Sequence, residues 1–312
     1  MIKPPRLRRG DTIGLVAPAS GLIRQERLDA SIRYLEGQGY RVAPGKHLLA
    51  SHGAFGGTDE QRAADLNDAI RNPKLRAIFA VRGGYGSPRI LSLVDYAALR
   101  RSPKIVVGFS DITALQLAIY RRCGLVTFSG PLPGPDFSEP VVDSFSEENF
   151  WRLLTSSKRP GLLPNPEGEN RTSLVPGSAT GPLLGGCLTM VVQVLGTRFC
   201  PSFRGSILVL EDVNEEPYRV DRMLTHLANA GIMKSAAGFA FGQWPGCEVS
   251  DPKTLHIPVP RLLREAVQDL GKPAFSGLGY GHTKKKLTIP FGLPARLDTQ
   301  RNELRLLEAA VA

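Results

Sequence analysis

Up to about residue 130 the chain alternates between short apolar runs and segments with helical spacing, and that alternation admits few folds. "TIGLVAPAS" reads as a buried strand running into a loop. "RQERLDASIRYLEGQGY" has helical periodicity, with Leu28, Ile32 and Leu35 on one face and Gly37 and Gly39 as stop signals. "YRVAP" is a short strand. "TDEQRAADLNDAIRNP" is a helix with Thr58 at its N-cap, acids in its first turn and Pro73 after its end. "LRAIFAVRGGYG" is a strand that enters a glycine-rich loop, "KIVVGFSDITALQLAIYRRCG" a strand followed by a helix, and "GLVTFSGP" a further strand. Strands separated by helices at this spacing predict an α/β fold: a doubly wound, mostly parallel sheet in an N-terminal lobe over residues 1–150.

Beyond Trp151 the pattern changes. "TSSKRPGLLPNPEGENRTSLVPGSATGPLLGG" is rich in Pro, Gly and Ser without sustained periodicity, and residues 151–182 are expected to be a linker or mobile loop between lobes. From residue 183 to 312 helix and strand signals resume. "CLTMVVQVLGT" reads as a helix, and "SILVLEDV" as a buried strand ending in acids. "PYRVDRMLTHLANAGI" is a helix with Pro217 at its start and Gly231 past its end. "AAGFAFGQW" and "AFSGLGYG" are strands with "VPRLLREAVQDLG" between them, and the tail alternates like β-structure with a turn near residues 299–302. A C-terminal α/β lobe with added β-structure follows.

The apolar share of 42% suits a chain with a real core, and 312 residues suit two compact lobes or one large α/β domain. The N-terminal apolar run is too short for a signal-peptide core and nothing reads as a membrane span, so a cytoplasmic protein that binds no membrane is expected. Cys123, Cys187, Cys200 and Cys247 are scattered and form no C-x-x-C pair, which argues against a zinc site or a disulfide framework. The net charge of +10 favours anionic partners. However, the dense basic runs, "RLRR" and Lys284, Lys285 and Lys286, lack interleaved aromatics, so a small anionic substrate is favoured over nucleic acid.

Ser110 sits where an apolar strand meets an amphipathic helix. One reading is a helix cap. The other is a nucleophile on a tight turn, where unpaired N–H groups of the first helical turn would hold a developing oxyanion. The stretch Gly108-Phe109-Ser110-Asp111-Ile112 lacks the last glycine of G-x-S-x-G, and taken alone it leaves both readings open.

A nucleophile needs a base, and the base an orienting carboxylate. Of five histidines, His226 lies inside a helix, His47 and His52 in a loop without ligand-pair spacing, and His256 ahead of a helix. His282, in "GLGYGHTKKK", follows a strand end in a glycine-rich loop, the position where α/β sites gather. Glu211 and Asp212 stand at the end of an apolar strand, and Glu215 and Glu216 suit the N-terminus of the next helix. Glu211 is the preferred orienter. In "VRGGYGSPR" adjacent glycines permit close backbone approach, with Gly84 N–H and Asp111 N–H as oxyanion donors. No G-x-G-x-x-G or G-K-[ST] phosphate motif is present there, and a plain tight turn remains the other reading.

"VRGGYG", "GFSDIT", "LEDVNEEPYRVDRML" and "GYGHT", in this order and at these spacings, resemble the LD-carboxypeptidase family of serine peptidases, which includes the microcin-immunity peptidases. The resemblance covers nearly the whole chain. It implies Ser110 as nucleophile, His282 as general base, Glu211 as its orienter and Gly84 with Asp111 as the oxyanion hole. It also implies two α/β lobes with the site between them, a homodimer and no metal, and no cofactor is expected. LD-carboxypeptidases release the terminal D-alanine from murein tetrapeptides. The immunity branch cleaves an aminoacyl-nucleotide conjugate and typically stacks the base on a Trp in the inter-lobe loop. Here the stretch "SSKRPGLLPNPEGENRTSLVPGSATGP" has no Trp, which favours cleavage of an anionic muropeptide over that of a conjugate, and a non-catalytic small-molecule binding protein with Ser110 as a cap is the more distant alternative. The substrate's free carboxylate requires a fixed cation or unpaired N–H groups, and Arg82, Arg89, Arg219 and Arg222 are the candidates.

Overall fold

The apolar runs of the first half become five parallel strands because helices cover both faces of the sheet they form. A computed structural model describes residues 1–21, 24–249 and 255–312. In it β1 (Thr12–Val16), β2 (Arg41–Pro44), β3 (Leu75–Ala80), β4 (Ile105–Gly108) and β5 (Thr127–Ser129) lie in the spatial order β5-β4-β3-β1-β2. Alternate residues point to opposite faces. Ile78, Ala80 and Val106 pack with Leu66, Ile70 and Leu115 from the helices Asp59–Arg71 and Thr113–Cys123. Ala77, Phe79, Ile105 and Val107 pack on the other side with Leu28 and Leu35 of the helix Gln25–Gly37 and with Phe150 and Leu153 of the helix Ser144–Thr155. The doubly wound expectation holds. Thr58 caps as expected: its Oγ1 accepts the Gln61 N–H at 3.3 Å in a reciprocal capping box.

The second sheet has eight strands. They begin with β6 (Gly161–Leu162), β7 (Thr172–Val175), β8 (Ser178–Cys187), β9 (Ile207–Glu211), β10 (Gly238–Phe241) and β11 (Ala274–Ser276). Next in the chain comes β12 (Ile289–Phe291), which instead pairs antiparallel with β5 and extends the first sheet. Then β13 (Pro294–Asp298) and β14 (Glu303–Leu306) complete the order β6-β14-β13-β8-β9-β10-β11-β7. The centre, β8 to β11, is parallel, and antiparallel strands flank it. Two lobes of mixed α/β architecture result, and both apolar clusters run through both sheets.

The segment 151–182 is more ordered than a linker. Its first residues, through Thr155, finish a helix, and the remainder contributes β6, β7 and the start of β8, whose ten residues make it the longest strand described. Gly and Pro hide this in a local reading, because the partners of these strands lie far along the chain. Among the described residues no helix is long and apolar enough to cross a membrane.

Candidate active site

At the end of β4 the chain must turn sharply. A Cβ on Gly108 would run into the Ile112 side chain, so glycine is needed there. Phe109 is extended, and Ser110 has φ +62°, a left-handed conformation that costs a non-glycine residue about 1–3 kcal/mol. A single 3₁₀ turn, Ser110–Ile112, then feeds the helix Thr113–Cys123. No side chain caps either of these segments. The Ser110 hydroxyl points elsewhere, with its Oγ 2.8 Å from His282 Nε2. The capping role is thereby excluded.

His282 follows β11 in a loop from the other lobe, and its Nδ1 lies 2.7 Å from Glu211 Oε2. An ionised Glu211 can only accept, so Nδ1 carries the proton and Nε2 is left to accept from the serine hydroxyl. Glu211, the last residue of β9, is fully buried. Burial pushes its carboxyl up from the ordinary carboxylate range, and the hydrogen bond to His282 opposes that shift. Asp212 is also buried but serves structure: it accepts from the backbone N–H and hydroxyl of Thr189, each at 2.8 Å. Glu216 is the N-cap residue of the helix Pro217–Asn229, and Glu215 pairs with Arg219. The other histidines lie elsewhere: His47 is bonded to Asp65 at 2.8 Å, and His226 is exposed near the end of its helix.

The glycine loop after β3 meets the serine turn directly. A Cβ on Gly83 would stand 2.8 Å from Ser110 Cβ and 2.9 Å from the Phe109 carbonyl. Gly84 has φ +96°, and a Cβ there would collide with Ser20. The buried Asp111 carboxylate accepts N–H bonds from Gly86 at 3.0 Å and Ser87 at 2.7 Å, and the Ser87 hydroxyl donates to the Asp111 carbonyl at 2.7 Å. The two bonds to the carboxylate are charge-assisted, a kind that contributes about 1.5–3 kcal/mol each. They hold the Gly84 and Asp111 backbones in one rigid unit. The motif predicts a backbone role for Asp111, and the bonds its carboxylate makes across to Gly86 and Ser87 emerge only in the folded structure.

Other supports had no sequence signal. Asn165, in the presumed linker, accepts the Gly279 N–H at 2.9 Å and donates to the Gly277 carbonyl at 2.7 Å, and so fixes the strand end that leads to His282. Phe109 lies against the imidazole, ring centroids 4.7 Å apart, with Lys286 Nζ 5.0 Å from the Phe109 centroid. Lys286, the last of the basic run Lys284 to Lys286, is buried and pairs with Asp136 at 2.9 Å.

The four arginines divide. Arg89 is tied to Asp59 at 2.9 Å. Arg219 pairs with Glu215 at 3.7 Å, and Arg222 lies over the Tyr218 ring. Neither Arg82 nor Arg222 has an ion pair among the described residues, and of the two only Arg82 stands on the loop that meets Ser110. Among the described residues no group of three or more His, Cys, Asp or Glu side chains is arranged to hold a metal.

The crowding at Gly83 has a testable consequence. Gly83→Ala should lower kcat/KM by about 10²-fold, because its methyl displaces Ser110 from reacting geometry. The fluorophosphonate labelling rate of the serine should fall with it while circular dichroism stays unchanged. Full activity in this variant would show that the loop yields and does not set the serine.

Residues 13–130 match the model of the LD-carboxypeptidase N-terminal domain, and residues 180–297 that of the LD-carboxypeptidase C-terminal domain. The probable murein peptide carboxypeptidase of Bacillus subtilis is 35% identical over 311 residues, covering 99% of this chain and 95% of that one. The muramoyltetrapeptide carboxypeptidase of Oxalobacter formigenes has a crystal structure that matches with TM-score 0.82 at 31% identity, covering 95% and 97% of the two chains. The microcin C7 self-immunity protein MccF, solved in complex with aspartyl sulfamoyl adenosine, matches with TM-score 0.91 at 26% identity and 100% coverage of both chains.

Proposed function

The chain belongs to the LD-carboxypeptidase family and is a serine-type carboxypeptidase, and we propose from this premise that it releases the C-terminal D-alanine of murein tetrapeptides, with Ser110, His282 and Glu211 as its catalytic triad. The observation that carries the proposal is the continuous hydrogen-bonded line from Ser110 Oγ through His282 to the buried Glu211.

In this reading His282 Nε2 takes the Ser110 proton as Oγ attacks the scissile carbonyl. Charge develops on the carbonyl oxygen, where the N–H groups of Gly84 and Asp111 receive it. The imidazolium, steadied by Glu211, passes its proton to the departing amine of D-alanine. Water, deprotonated by the same imidazole, then attacks the acyl-enzyme and frees Ser110. Glu211 keeps its charge throughout and holds the ring in the required tautomer.

The reading assigns the nucleophile to a lobe of residues 1–150, the acid and base to a lobe of residues 183–312, and the connection to 151–182. It takes the protein to be cytoplasmic and, as the family resemblance implies, homodimeric, with the dimer open to test by light scattering. The names of the Bacillus and Oxalobacter relatives support a muropeptide substrate. The likeness to the microcin self-immunity protein supports an aminoacyl-nucleotide conjugate instead. The purified protein, incubated separately with a murein tetrapeptide and with an aminoacyl-sulfamoyl adenosine, should release D-alanine from the first, as read by mass spectrometry. Turnover of the second alone would overturn the muropeptide reading.

A further inference from the structure

We propose that Arg82 binds the substrate's terminal carboxylate and thereby restricts this enzyme to the last residue of a peptide, an assignment that rests on the function proposed above. In a carboxypeptidase the carboxylate lies two bonds beyond the leaving nitrogen. Its anchor therefore has to stand beside the nucleophile.

Arg82 occupies such a place. It is the second residue after β3 and opens the loop whose next residue, Gly83, abuts Ser110. Its Nε lies 3.8 Å from the point where a Cβ on Gly84 would stand, so the guanidinium runs along the glycine whose N–H is the proposed oxyanion donor. Gly84 itself is exposed, which leaves this edge of the loop open to a ligand.

Availability separates Arg82 from the cations around it. The fully buried Arg62 is spent on the carbonyls of Pro18 and Gly86 and on Asp59. Arg89 shares Asp59 and lies over the Phe55 ring. Lys286 is neutralised by Asp136. The Asp111 carboxylate, close by on the serine turn, is already bonded to Gly86 and Ser87 N–H groups. Arg82 is half-buried and meets no carboxylate within ion-pair distance among the described residues. Partial burial strengthens its attraction for an anion, and its planar fork matches a carboxylate in bidentate fashion.

The test compares kcat/KM for a tetrapeptide ending in free D-alanine with that for its C-terminal amide. Wild type should prefer the acid, and Arg82→Ala should lose about 10- to 100-fold on the acid, mainly in KM, and much less on the amide, so that the preference collapses. Arg82→Met is the second variant, keeping the apolar stem should the alanine disturb the loop, and Arg82→Lys should recover part of the preference. Fluorophosphonate labelling of Ser110 should proceed at the wild-type rate in all three. Undiminished preference for the acid in Arg82→Ala or Arg82→Met, or its loss in Lys285→Ala instead, would overturn the assignment while the carboxypeptidase reading stands. A wild type that cleaves no tetrapeptide would overturn that reading, and this assignment with it.

Discussion

Ser110→Ala should abolish turnover, and so should His282→Ala; each is expected to lower kcat by about 10⁴-fold or more. The reason is the 2.8 Å contact between Ser110 Oγ and His282 Nε2. A serine hydroxyl is a poor nucleophile until a base removes its proton during attack, and an imidazole without a hydroxyl in front of it has nothing to activate. The two residues form one device, so the double variant should be scarcely worse than either single one. Fluorophosphonate labelling, followed by intact-mass measurement, should vanish in Ser110→Ala and become very slow in His282→Ala. Because Ser110 is held at φ +62°, its replacement by alanine leaves the strain in place and removes the hydroxyl that gives the strain a use. A comparable loss in His226→Ala, with the fold intact, would contradict the assignment of the base, since His226 is exposed on a separate helix.

Glu211→Gln should cost about 10³- to 10⁴-fold in kcat, less than the loss of the serine or the base, with KM little altered. The buried carboxylate does two things at 2.7 Å from Nδ1: it fixes the imidazole tautomer, and it stabilises the imidazolium that forms during attack. A glutamine can hold the ring through its carbonyl oxygen but carries no charge to offset the imidazolium. With its amide nitrogen turned toward Nδ1, it favours the tautomer that cannot accept the serine proton. The second carboxylate oxygen, Oε1, is buried without a hydrogen-bond partner, so a neutral amide is tolerated there and the variant should fold. A Glu211→Gln enzyme with near wild-type kcat would mean that the imidazole is oriented by other groups, such as the Phe109 ring against it.

Much of this arrangement is legible in the chain because it depends on neighbours in sequence. The alternation of apolar runs and helical segments requires a parallel sheet covered on both faces, since strands of that kind have no polar side to turn to water. Thr58 three residues before Gln61 and Pro217 at a helix start follow from the unpaired backbone groups of a first turn. The strand–Gly–Phe–Ser joint marks Ser110 because a turn between strand and helix exposes a small side chain beside unpaired N–H groups. Having only five histidines left few choices for its partner.

The rest was decided by contacts between distant residues. Ser110 and His282 are 172 positions apart, and Glu211 lies 71 positions from His282; they meet because the fold brings the end of β4 in one sheet to the ends of β9 and β11 in the other. Lys286 belongs to a run of three lysines that reads as solvated surface, and only the fold supplies the Asp136 that makes its burial tolerable. Asn165 and the strands of residues 161–187 escape local reading for the same reason. Glycine and proline lower the intrinsic β-preference of that segment, yet backbone N–H and C=O groups must be paired once buried, and β9, β11 and β13 supply the partners. Local chemistry thus determined what each element is and which side chains it can offer. Long-range pairing determined which of those side chains share one site, because the cost of burying a polar group is met only by a partner that the folded chain brings to it.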